Sequence, residues 1–137
     1  MRGWFCHNEV LTKRLQQVAV ECEATVETEA PVRVGEHICY GDLLVRKYGR
    51  STLCELETSS QGVDKDLRKA SALGAEVLLI ATPDAPTAHA CQRRLQRCRE
   101  LAPTLKVMIC PLGAALGILR AILTRTPESV TEKGKKN

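Results

Sequence analysis

Two β-prone runs on either side of a short turn constrain this chain more than any other feature. Ile38 to Lys47 and Ser51 to Thr58 flank Tyr48-Gly49-Arg50, the spacing of a tight antiparallel hairpin. Both arms carry acids: Asp42 in Gly41-Asp42-Leu43-Leu44-Val45, and Glu55 and Glu57 in Leu53-Cys54-Glu55-Leu56-Glu57. Side chains alternate faces along a strand, so Ile38, Tyr40, Asp42 and Leu44 share one face. Leu53, Glu55 and Glu57 share a face of the second arm. A turn centred near Gly49 sets Asp42 opposite the stretch between Glu55 and Glu57. A one-residue slip would turn it to the other face. Carboxylates gathered that closely repel unless positive charge sits among them. A divalent metal ion is the most compact counter-charge for three oxygen ligands; the alternative is the solvated polar end of an ordinary hairpin.

The remaining pattern is that of an α/β chain. Asn8 can cap a helix beginning at Glu9, with Val10, Leu11, Leu15, Val18 and Ala19 at helical spacing. Thr25 to Val34 is β-prone, and Pro31 marks it as an edge strand or a broken one. After the Ser59 to Gly62 loop, Asp64 to Leu73 reads as a helix closed by Gly74. Val77 to Thr82 is the continuous apolar run of a strand buried on both faces. Pro83-Asp84-Ala85-Pro86 interrupts before a helix from Thr87 to Leu101, a buried strand from Leu105 to Cys110 and a helix from Leu112 to Leu123. The order α-β-β-β-α-β-α-β-α predicts a central mixed sheet flanked by helices on both faces. With 137 residues the expectation is one domain over 1–124. The polar, basic tail 125–137 is expected to be disordered.

Aromatic residues make up only 3% of the chain, so the core must be aliphatic. No apolar run approaches the length of a membrane span, and the start lacks the apolar stretch of a signal peptide, which predicts a cytoplasmic protein without membrane contact. The cysteines number seven, an odd count without a Cys-x-x-Cys pair. Cys22, Cys39, Cys54 and Cys110 fall in apolar segments, so reduced, mostly buried thiols are expected. His7, His37 and His89 lack partners at metal-ligand spacing and read as surface or capping residues. Gly113 and Gly117 lack the spacing of a phosphate-cradling loop and suit close helix packing.

Helix, three-strand meander, helix and strand is an order that resembles the core of the PD-(D/E)XK nuclease superfamily, over roughly Asn8 to Asp84. Glu9 looks like the acid that many members place on the first helix. Asp42 resembles the family's metal-binding aspartate, and Glu55 the acid of the (D/E)XK element. The run Leu67-Arg68-Lys69-Ala70, then Leu73-Gly74-Ala75 and Val77-Leu78-Leu79-Ile80, is similar to the helix and buried strand that follow it. The family's lysine position is Glu57 here. Some members carry glutamate there; others supply the lysine from the following helix, and Lys65 and Lys69, one turn apart, are candidates for that role. The resemblance implies a restriction-endonuclease-like αβββαβ core with an added α-β-α extension. It also implies Mg²⁺ or Mn²⁺ on Asp42, Glu55, Glu57 and Glu9, and hydrolysis of DNA phosphodiesters. A homodimer or an added domain would serve to reach both strands. The alternative is a member without catalysis that binds nucleic acid or a protein. For Glu9 the competing role is a favourable charge at a helix N-terminus.

The chemistry is consistent with the residue types. Phosphodiester hydrolysis needs a Lewis acid, an activated water and neutralisation of the leaving alkoxide, and hard oxygen ligands suit magnesium or manganese better than zinc. Net charge is only +4, so distribution says more about nucleic acid than the total. Arg46 shares Asp42's face, while Arg93, Arg94, Arg97 and Arg99 crowd one helix, either to grip a phosphate backbone or as a solvated face.

Overall fold

The computed structural model describes residues 2–125, and of residues 2–8 the backbone alone. Helix α1 (Arg2–Glu21) leads into a meander of β1 (Thr25–Val34), β2 (His37–Lys47) and β3 (Arg50–Leu56). Then α2 (Val63–Leu73), β4 (Val77–Thr82), α3 (Ala85–Cys98), β5 (Lys106–Pro111) and α4 (Leu112–Thr124) alternate. The five strands form one sheet in the order β1-β2-β3-β4-β5. Pairing is antiparallel from β1 to β3 and parallel from β3 to β5. The expected α/β class, a mixed sheet flanked by helices, is therefore present.

Local chemistry accounts for the strand directions. Tyr48 and Gly49 both have positive φ, 57° and 75°, the two-residue type I′ turn whose twist matches a hairpin. That turn sets Lys47 opposite Arg50 and Leu43 opposite Cys54. Parallel neighbours cannot be joined by a tight turn, and α2 and α3 supply the crossovers. Pro31 lies on the outermost strand, where a missing N–H disrupts no second ladder.

Alternation divides the core in two. Leu43, Val45, Cys54, Leu56, Leu79 and Ala81 face α1 and α4. Leu44, Leu53, Leu78 and Ile80 face α2 and α3, meeting Val63, Leu67 and Ala70 of α2. Asp42 and Glu55 have the parity of Leu44 and Leu53, so they belong to the α2 face.

The largest differences from the expectations fall at four boundaries. Helix α1 runs from Arg2, so Asn8 lies inside it and does not cap it; the capping preference of one residue is outweighed by a continuing helical run. Strand β3 ends at Leu56, although Glu57 N–H still reaches Ala81 O at 2.9 Å. Helix α3 starts at Ala85, because Asp84 caps it through Oδ1 to Thr87 N–H at 2.8 Å and Pro86 is tolerated in the first turn. It stops at Cys98, before a 3₁₀ turn over Arg99–Leu101. The tail from Thr126 lies outside the described residues.

Helix α2 ends at Gly74, whose φ of 71° lets its N–H reach the carbonyls of Ala70 and Ser71. A Cβ there would meet nothing within 4 Å, so an added methyl costs only backbone strain. Gly74→Ala is expected to lower stability by about 1–2 kcal/mol, read as a reduced urea midpoint with an unchanged slope.

Candidate metal centre

The β2–β3 ladder leads directly into the acidic site. Beyond Leu43 opposite Cys54, the next facing position joins Asp42 and Glu55, and there side chains replace the ladder bonds. Asp42 N–H donates to Glu55 Oε2 at 2.7 Å, and Leu56 N–H donates to Asp42 Oδ2 at 2.9 Å. Each carboxylate thus takes a backbone N–H from the opposite strand, which fixes both. The register places Asp42 against Glu55, whereas the turn count had set it between Glu55 and Glu57. Glu57 lies beyond the strand end, where the chain turns toward α2.

Lys69, one of the two lysines singled out for the missing position, is the one that enters the site. Its Nζ lies 2.9 Å from Glu55 Oε1, and both side chains are buried, at 8% and 2% exposure. Lys65 is exposed on the same helix. Burial disfavours the Lys69 ammonium, but the charge and hydrogen bond of Glu55, with Asp66 and Asp42 nearby, hold its pKa above the ordinary lysine value. Glu55 is raised by burial and by the Asp42 charge, and Lys69 pulls against that rise. Asp42 is raised chiefly by burial, with the Leu56 hydrogen bond and Lys69 opposing it and Glu29 adding to it.

A further acid had not been anticipated. Asp66 is fully buried, and neither of its carboxyl oxygens has a hydrogen-bond partner. Oxygens of Glu55, Glu57 and Asp66 lie within 4.8 Å of one another. Three carboxylates contain no donor, so a proton or a cation must sit between them. With neither neighbour cationic, burial first, then contact with Glu57 and the charge of Glu55, push the Asp66 carboxyl up to about 12. Gly62 helps to hold this group, because a Cβ at that position would collide with the Glu57 carboxylate. The donor set is all oxygen, with Glu55 and Asp66 buried and Glu57 half-buried, so this triad could hold a metal ion.

On the other side of Asp42 a cleft opens between α1 and the first two strands, lined by Glu9, Thr12, Lys13, Gln16, Thr28, Glu29 and Asp42. Glu9 is exposed there and shares the cleft with Asp42, apart from the triad. Glu29 has a left-handed backbone, φ 49°, at the point where β1–β2 pairing lapses between Thr28–Leu43 and Ala30–Gly41. Such strain in a non-glycine residue collects at functional sites.

The arginines are dispersed. Arg46 is exposed four residues along β2 from Asp42, roughly 13 Å at strand rise, and pairs with Glu27 at 3.7 Å. Arg94 forks onto Asp64 with two bonds of 2.7 Å, tying α3 to α2 and holding the Asp64 carboxyl below its usual range. Arg93 and Arg97 are exposed on α3. Among the described cysteines none forms a disulfide, and all but Cys39 are buried. No described helix is long and apolar enough to cross a membrane.

Asp66, Gly62 and Glu29 escaped sequence reasoning. For Asp66 a signal existed: Val63, Asp66, Leu67 and Ala70 are spaced as one buried helical face, and an acid there is out of place. No family model, curated protein or solved structure matches this chain.

Proposed function

We propose that this chain is a metal-dependent nuclease domain that hydrolyses phosphodiester bonds of DNA, on a restriction-endonuclease-like core. One observation carries the reading: the ammonium of Lys69 lies 2.9 Å from Glu55, the carboxylate that shares backbone clamps with Asp42. A lysine beside two acids is the combination that Glu57 removes from its usual sequence position. Asp42 and Glu55 would hold Mg²⁺ or Mn²⁺, which supplies Lewis acidity at a phosphate oxygen when bound. Lys69, kept charged by its acidic neighbours, offers positive charge to the phosphate and holds its proton. Glu57, half-buried at the rim of the site, can orient a water or accept its proton. Glu9 extends the acidic lining toward the open cleft, and Arg93 and Arg97 are exposed cations that a backbone phosphate could meet.

The test is plasmid nicking by the purified chain with Mg²⁺, with Mn²⁺ and with chelator, repeated for Asp42→Ala and Glu55→Gln. The expected result is metal-dependent nicking by the native chain and none by either variant. Cleavage that persists in both variants removes the proposed centre. Absence of cleavage with salt-sensitive DNA binding favours a non-catalytic nucleic-acid-binding module.

A further inference from the structure

We propose that Glu57 and Asp66, with Glu55 shared, form a second divalent-cation subsite beside the Asp42–Glu55 position, so that the folded chain takes two ions. This inference rests on the nuclease reading for the first ion and for the charge that the site must present. The position of the second follows from its own geometry.

Asp66 projects from α2 into the protein with no exposure and with both oxygens unpartnered. A native fold does not leave a carboxylate in that state without a counter-ion or a proton. Lys69, the cation beside this group, is already committed: its Nζ donates to Glu55 Oε1, and no hydrogen bond joins it to Asp66. Glu57 completes the set from the other side, held against Gly62, with its oxygen in reach of both partners.

Charge sets the number of ions. Ionised, as metal ligands must be, Asp42, Glu55, Glu57 and Asp66 would carry four negative charges against the ammonium of Lys69. One divalent ion leaves the group negative, and a phosphodiester would then be repelled. A second ion makes it positive by one charge, the complement of one phosphodiester. Burial also selects the ion. Mg²⁺ gives up water reluctantly, whereas a subsite around a fully buried carboxylate demands dehydration, so Mn²⁺ suits this position better. Asp66 is then a metal ligand, and Glu55 the bridge between two ions.

Mn²⁺ titration of the full chain, followed by calorimetry and by electron paramagnetic resonance, tests this without any substrate. The native chain should bind two Mn²⁺ with the line broadening of a coupled pair. Asp66→Asn and Glu57→Gln should each bind one and lose the coupling, and so should Asp42→Asn. Circular dichroism checks that Asp66→Asn folds, and Glu57→Gln, altered at a half-buried residue, keeps the test alive if it does not. A native stoichiometry of one that Asp42→Asn abolishes and the other variants leave alone would overturn the inference while sparing the nuclease reading. Two ions retained in both Asp66→Asn and Glu57→Gln would also overturn it. No binding to the native chain would overturn both readings.

Discussion

Replacing Lys69 with methionine is expected to destabilise the folded chain by about 3–5 kcal/mol, because it leaves Glu55 buried without its cation. The methionine occupies similar volume, so little of the loss comes from a cavity. Glu55 is 2% exposed, and its remaining partner is the N–H of Asp42 at 2.7 Å. The variant can relieve the penalty only by protonating the glutamate. Burial and the Asp42 charge already raise that group, and losing Lys69 removes what opposes them. The deficit should therefore be small near pH 4, where the unfolded chain also protonates its glutamates, and grow toward pH 8. Lys65→Met, at an exposed position on the same helix, should change stability by less than about 0.5 kcal/mol. Urea unfolding of both variants across this pH range is the measurement. Equal costs for the two lysines would dissociate Lys69 from the buried site.

Asp66→Asn is expected to do the opposite in the metal-free chain: it should stabilise the fold at alkaline pH. The folded Asp66 carboxyl is pushed up to about 12, against roughly 3.9 in an unfolded chain. Between those values the folded state holds a proton that the unfolded state has released. Stability from this group is thus full below about pH 4 and declines as pH rises, by at most about 1.4 kcal/mol per unit. The neighbouring Glu55, itself raised by burial and by the Asp42 charge, flattens the slope. Asparagine has nothing to titrate, so the variant should melt higher than the native chain at pH 8 in chelator and converge with it near pH 4. Saturating Mn²⁺ should narrow the gap, since a ligand at 100 times its Kd adds about 2.7 kcal/mol to a fold that binds it. Thermal melts from pH 4 to 9 decide the matter. Parallel curves for native and variant at every pH would refute the buried-carboxyl account.

Both expectations turn on α2, and α2 shows how far a one-dimensional pattern reaches. Its extent, its left-handed end at Gly74 and the apolar stripe of Val63, Leu67 and Ala70 follow from helical spacing and capping chemistry. Lys65 and Lys69, four residues apart, were indistinguishable on that basis. The seating of the helix on the sheet then buried one and exposed the other. Likewise the hairpin acids were legible as a group, but the register that sets Asp42 against Glu55 depends on the type I′ turn at Tyr48 and Gly49, where a non-glycine residue takes a positive φ. No pattern in the chain announces that conformation for a tyrosine.

The sequence by itself determined the element types, the choice of edge or break for the Pro31 strand, the aliphatic core and the presence of acids on the central hairpin. Periodicity and propensity act within an element, and those features need nothing more. Only the tertiary structure decided that Lys69 joins Glu55, that Glu57 turns away from Asp42, and that Asp66 is buried without a partner. Those outcomes depend on where separate elements meet. Contacts across the sheet and between helix and strand are set by the closest packing of the whole core, in which each charged group takes the neighbours that packing leaves it.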